Sequence, residues 1–137
     1  MAEPNPSPLA AEARRPLSPH LQVYRITITM LMSGIHRITG ACLYIGTLLL
    51  AWWLIAAASD AQSFEFISWL LSSIIGRLVL LGFTWALMTH MLGGVRHFIW
   101  DAGVGMEHPQ REYLAHMTLW GGLALTLIVW IIGYAIR

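Results

Sequence analysis

One predicted helix carries two histidines and two adjacent glycines on a single face. The four residues, spaced at i, i+3, i+4 and i+7, are His90, Gly93, Gly94 and His97. They belong to an apolar run, Leu78 to Trp100, whose roughly 23 residues at about 1.5 Å each can cross the hydrocarbon core of a bilayer. His90 lies near the middle of this run, where lipid offers an ionisable side chain no hydrogen-bond partner. The His90 imidazole must therefore face protein, a cavity or a cofactor.

The glycine pair indicates what could lie beside His90. Without Cβ atoms, Gly93 and Gly94 leave a flat groove that either a closely packed helix or a flat macrocycle could fill. Arg96 lies about 9 Å further along the helix axis and nearer the membrane surface, where it could reach anionic groups. These features suit a haem, whose iron takes an axial histidine and whose propionates favour positive charge. The alternative is a histidine that only hydrogen-bonds across a helix interface, with small residues serving helix packing.

The first predicted spanning segment, Ile26 to Ala58, contains a polar insert near its N-terminal end. Ser33, His36 and Arg37 stand at i, i+3 and i+4, so a hydroxyl, an imidazole and a guanidinium share one face. About 18 uninterrupted apolar residues follow, which places this triplet at the membrane interface or just below it. The pattern favours a pocket for the oxygenated head of a lipid-soluble molecule or for haem propionates. The alternative is an arginine that extends to the headgroups, with the serine bonded to its own helix.

The composition is that of an integral membrane protein. Of the 137 residues, 57% are hydrophobic and only 11% are charged, which is too apolar for an ordinary soluble domain of this size. The formal net charge is +1 and there is no basic tail, so we expect a lipid bilayer around the chain and no nucleic-acid partner. The single cysteine, Cys42, predicts neither a disulfide framework nor a cysteine-based metal site.

The N-terminal region differs from the rest of the chain. Residues 1–15 are rich in proline and lack the apolar core of a secretory signal, so we expect a flexible tail. Residues 15–24 contain two prolines and form a surface segment, which either docks against another subunit or is solvated. We therefore divide the chain into an extramembrane segment, residues 1–25, and a membrane domain, residues 26–137.

The membrane domain is predicted to be all-α, with three transmembrane helices. A short polar connection separates the first two helices, and a turn containing glycines and a proline separates the last two. The predicted bounds are 59–68 for the connection, Ile67 or just after Arg77 to Trp100 for the second helix, 101–111 for the turn and 113–136 for the third helix.

The placement of arginines predicts the orientation in the membrane. Arginines flank the start of the first helix and the second loop, whereas the first loop has none. The positive-inside rule then places the N-terminus in the cytoplasm and the C-terminus in the periplasm. Arg77, near the outer end of the second helix, is the one arginine that does not fit this orientation. In this topology the Ser33 triplet and residues 96–101 meet at the cytoplasmic membrane face. An arginine from each helix then lies between His90 and that face.

Three motifs occur in series along the chain. They are Arg15-Pro-Leu-Ser-Pro-His-Leu-Gln-Val-Tyr24, Ser33-Gly-Ile-His-Arg-Ile-Thr-Gly40 and His90-x-x-x-Gly-x-Arg-His-x-x-x-Asp101. In order and spacing, these motifs resemble the cytochrome b membrane-anchor subunit of succinate dehydrogenase, respiratory complex II. The resemblance extends from about Arg15 to Arg137.

The resemblance implies a role for each polar residue of the two helices. His90 is the axial ligand of haem b, and the second ligand comes from a companion membrane-anchor subunit. Ser33 and Arg37 line a ubiquinone pocket, with His36 and Arg37 near the haem propionates. His97 lies at the haem edge and is not assigned as a ligand.

The resemblance also implies the partners and the location of the chain. Succinate is oxidised on a flavoprotein subunit and electrons pass through an iron–sulfur subunit, so no catalytic residue for that step is expected here. The chain is expected to contribute to the quinone site. We expect the bacterial inner membrane rather than the mitochondrial one. The alternatives are a haem-free quinone-binding anchor, an anchor of a fumarate reductase-type complex, and a purely structural anchor.

Overall fold

The computed structural model describes residues 24–136, and every regular element in that part of the chain is a helix. The helices are α1 (Ile28–Ser59), α2 (Ala61–Ser72), α3 (Ile74–Asp101) and α4 (Gln110–Ala135). Three of them, α1, α3 and α4, are long and apolar enough to span a membrane. At about 1.5 Å per residue they are roughly 39–48 Å long, which exceeds the hydrocarbon thickness of a bilayer. The predicted all-α, three-helix membrane architecture is confirmed, whereas the predicted tail and all of the predicted surface segment except Tyr24 lie outside the described residues.

The connection between the first two spans differs from the prediction. The sequence predicts a polar linker over residues 59–68 and a second span beginning near Ile67 or after Arg77. Instead, most of this segment forms the short helix α2, and α3 begins directly afterwards at Ile74. Ile67 is fully buried in α2, so it belongs to the packing of the connection and not to the second span.

Two side-chain caps explain why helices form here. The Asp60 carboxylate accepts hydrogen bonds from the Ser63 N–H and hydroxyl, each at 2.8 Å, and so starts α2. These hydrogen bonds, the backbone one first, lower the pKa of Asp60 below its usual value. The Ser73 hydroxyl accepts from the Gly76 N–H at 3.0 Å and starts α3. Hydropathy along the sequence cannot detect such caps, because each cap is a single polar side chain at the start of a helix.

Aromatic residues hold α2 against the end of α1. The ring centroids of Trp52 and Phe66 lie 6.4 Å apart, and those of Trp53 and Phe64 lie 6.1 Å apart. Within α2, Phe66 and Trp69 lie 6.2 Å apart. Clusters of this kind are typical of the membrane–water interface, where amphipathic rings are favoured.

The second loop agrees with its prediction to within two residues. Residues 102–109 connect α3 to α4, and Gly103 and Gly105 adopt φ values of 78° and 76°, which favour glycine. The Trp100 indole donates to the Gly105 carbonyl at 3.1 Å and fixes the start of the loop. The last helix begins at Gln110, three residues before the predicted Tyr113.

The three long helices approach one another at glycines. A Cβ on Gly46 of α1 would overlap the Phe83 ring of α3, and a Cβ on Gly122 of α4 would overlap Thr89 of α3. Close approach at small residues is the usual means of association in membranes, where burial of apolar surface provides little driving force.

Substituting Gly122→Ala is expected to destabilise the α3–α4 contact. The new Cβ would lie 3.1 Å from the Thr89 Cα, which is backbone and cannot rotate away. Overpacking of this kind costs about 1–3 kcal/mol, so we expect a lower unfolding temperature of the detergent-solubilised protein. Gly133→Ala on the same helix is the matched control, because nothing lies within 4 Å of its Cβ position. Equal unfolding temperatures for the two variants would contradict the packing at Gly122.

Candidate functional site

Helices α1 and α3 bring three histidines together. The rings of His36 and His90 stack with centroids 4.0 Å apart and an angle of only 3° between their planes. The centroid of the His97 ring lies 5.3 Å from the centroid of the His36 ring. It lies 5.2 Å from the centroid of the Trp100 ring, and these two rings are arranged edge to face. Across residues 24–136 no group of three metal-binding side chains is arranged to hold a metal ion. The histidines are therefore a cluster of separate polar groups at the α1–α3 interface.

A glycine on the opposite helix makes room for each stacked imidazole. A Cβ on Gly93 of α3 would overlap the His36 ring, and a Cβ on Gly40 of α1 would lie 3.0 Å from the His90 Cε1. The groove predicted beside His90 is thus filled at Gly93 by the side chain of His36. At Gly94 the groove stays open, since nothing lies within 4 Å of its Cβ position.

The hydrogen bonds of His90 define which ring nitrogen is available. Its Nδ1 lies 3.1 Å from the His36 carbonyl oxygen and 3.2 Å from the Thr39 hydroxyl. A carbonyl oxygen can only accept, so Nδ1 carries the hydrogen and donates it. The neutral imidazole then has its lone pair on Nε2, and both hydrogen bonds of His90 within the described residues use Nδ1. This is the state in which a histidine binds a metal through Nε2.

Thr39 and Gly40 are site residues that the sequence analysis did not single out. Both lie in the Ser33-to-Gly40 motif, and Thr39 is only 1% exposed. Their spacing could have identified them from the sequence, because Thr39 and Gly40 follow His36 at i+3 and i+4 and so share its face of α1.

Arg96 is buried without a hydrogen-bond partner. It is 3% exposed, its guanidinium carbon lies 4.9 Å from the centre of the Trp100 ring, and its Nε and Nη1 donate to no atom of the described chain. The Nδ1 of His36 is likewise buried and unpartnered. Buried polar groups are nearly always satisfied, so these atoms indicate hydrogen-bond partners from outside the described residues.

The three polar residues predicted to share one face of α1 differ in how deeply they are buried. Ser33 and Arg37 are exposed on the outer surface of the helix, whereas His36 is half-buried and turned towards α3. A pocket built on Ser33 and Arg37 would consequently need walls from outside the described residues.

The chain is similar to known membrane subunits over most of its length. A family model described as succinate dehydrogenase/fumarate reductase transmembrane subunit matches residues 11–129, which include all three motifs. The succinate dehydrogenase cytochrome b556 subunit of Paracoccus denitrificans is 40% identical over 118 residues, covering 86% of this chain and 91% of the relative. That of Rickettsia felis is 31% identical, covering 86% and 92%. The mitochondrial succinate dehydrogenase cytochrome b560 subunit of Sus scrofa is 37% identical over 103 residues, covering 72% and 59%.

Proposed function

The chain belongs to the family of succinate dehydrogenase/fumarate reductase transmembrane subunits, and we propose that it anchors a succinate dehydrogenase in the membrane, binds haem b and helps to form a ubiquinone-reduction site. The observation that carries this proposal is the hydrogen bonding of His90, which leaves Nε2 free at the centre of an apolar helix. A histidine that served packing alone would have no reason to keep that nitrogen available.

The residues around His90 fit a haem. His90 would supply one axial ligand through Nε2, and a companion anchor subunit would supply the other. The unpartnered donors of Arg96 and the Arg37 guanidinium would neutralise the propionates, His36 would lie near them, and His97 would lie at the haem edge. When bound, the haem would supply one-electron transfer.

Ser33 and Arg37 would bind the quinone head. Reduction of a quinone takes up two electrons and two protons, so its carbonyl oxygens gain negative charge before they are protonated. The Ser33 hydroxyl can donate a hydrogen bond to one oxygen, and the Arg37 guanidinium stabilises the developing charge. Because both side chains are exposed on α1, the remaining walls of this pocket would come from the second anchor subunit and the iron–sulfur subunit.

The proposed orientation follows from the arginines. Placing the N-terminus in the cytoplasm puts Ser33, Arg37 and Arg96 towards that side. The iron–sulfur and flavoprotein subunits would then dock on the cytoplasmic face of a bacterial inner membrane, close to the proposed quinone pocket.

Haem content tests this function directly. We expect the purified complex to contain one haem b per copy of this chain, measured by a pyridine haemochrome assay and by a dithionite-reduced minus oxidised visible spectrum. A complex without haem would overturn the haem assignment and leave a quinone-binding anchor. Activity that is insensitive to quinone-site inhibitors would overturn the quinone assignment as well.

A further inference from the structure

Thr39 contacts the imidazole of His90 from the opposite helix. Its hydroxyl oxygen lies 3.2 Å from the His90 Nδ1, although the two residues are 51 positions apart in the chain. Thr39 is 1% exposed, so its side of this contact is shielded from the surroundings, whereas His90 is half-buried. Hydrogen bonds in such surroundings are stronger than in water, and they orient the groups that make them.

The Thr39 hydroxyl has one hydrogen, and its direction is set by backbone carbonyls. The Ile35 carbonyl oxygen lies 2.9 Å from the hydroxyl oxygen, and the His36 carbonyl oxygen lies 3.0 Å from it. Because carbonyls only accept, the hydroxyl hydrogen points to one of them. The lone pairs of the hydroxyl oxygen are then left for the hydrogen on the His90 Nδ1.

The opposite arrangement of hydrogens is unfavourable. If Nδ1 lacked its hydrogen, its lone pair would face that of the His36 carbonyl oxygen at 3.1 Å. The Thr39 hydroxyl would also have to give up its backbone acceptor in order to donate to the ring. Thr39 and the His36 carbonyl together therefore hold the hydrogen on Nδ1 of His90.

We propose that Thr39 is a positioning residue for the haem ligand: together with the His36 carbonyl, its hydroxyl fixes the tautomer and the ring orientation of His90, so that Nε2 is the nitrogen offered to iron. The inference rests on the proposed haem-binding function and deepens it. A hydrogen bond to the non-ligating nitrogen also makes the imidazole a stronger electron donor, which favours the oxidised iron.

Thr39→Val removes the hydroxyl and nearly preserves the shape of the side chain. Loss of such a supporting hydrogen bond weakens metal-site binding by about 10- to 100-fold, and because the His36 carbonyl remains we expect about tenfold weaker retention of haem. The haem midpoint potential should shift to more positive values. Thr39→Ser keeps the hydroxyl and should restore both properties.

Thr126→Val is the matched control on α4. Thr126 is also buried, at 4% exposed, and its hydroxyl donates to the Gly122 carbonyl at 2.7 Å, away from the histidines. Haem retention is measured as the rate at which haem passes from the purified complex to a haem-binding protein supplied in its haem-free form. The haem midpoint potential is measured by potentiometric titration. Thr126→Val should change neither.

The outcomes separate this inference from the function on which it rests. A native complex that contains haem, combined with unchanged retention and midpoint in Thr39→Val, would overturn the role of Thr39 alone. If Thr39→Ser, which keeps the hydroxyl, loses haem as Thr39→Val does, the hydroxyl does not account for the loss, and the inference is wrong. Should Thr39→Val fail to assemble, Thr39→Ala removes the hydroxyl without adding bulk and is judged by the same two measurements. A native complex without haem would instead overturn the proposed function.

Discussion

His90→Ala is expected to abolish the low-spin b-type spectrum of the complex. Alanine has no group that can bind iron, and the neighbouring histidines are held elsewhere: the His36 ring lies against Gly93, and His97 contacts Trp100. The helices themselves should persist, because His90 is only half-buried and alanine favours helix. The check is the dithionite-reduced minus oxidised spectrum of the purified complex, normalised to flavin content.

His116→Ala provides the control for that experiment. His116 is an exposed histidine on α4, so its removal tests the loss of an imidazole at a site without a proposed ligand role. We expect a native spectrum from this variant. An unaltered spectrum in His90→Ala would contradict the assignment and make His97 the next candidate for the ligand.

Ser33→Ala is expected to slow quinone reduction while the haem spectrum stays native. The Ser33 hydroxyl is exposed on α1 and is proposed to donate to a quinone oxygen, a contact worth about 1 kcal/mol or more. Turnover from succinate to a ubiquinone analogue should therefore fall by roughly fivefold to tenfold. Turnover from succinate to a soluble dye that accepts electrons ahead of the quinone site should remain unchanged.

Ser59→Ala makes the same substitution on the same helix, far from the proposed site. The Ser59 hydroxyl donates to the Ile55 carbonyl at 2.7 Å at the opposite end of α1, so neither activity should change. Native quinone turnover in Ser33→Ala would exclude its proposed role. A parallel loss of both activities would point to faulty assembly rather than to the quinone site.

Much of the architecture was predictable because it depends on local properties of the chain. The apolar content and length of three segments are sufficient to predict helices that span a membrane, since backbone groups in lipid must be bonded within the segment. The polar residues His90 and Arg96 stand out for the same reason, because each is costly in that environment. The bounds of the connection were not predictable from hydropathy, since they depend on the caps made by Asp60 and Ser73.

The site itself was decided by tertiary structure. The sequence determined that α1 and α3 each carry an imidazole close to a glycine, at His36 and Gly40 on one helix and His90 and Gly93 on the other. Only the packing of the two helices placed each ring over the opposite glycine and aimed the His90 Nδ1 at the Thr39 hydroxyl. These contacts join positions about fifty residues apart, so they depend on how the helices are rotated and shifted against each other. Spacing along one helix cannot specify that register.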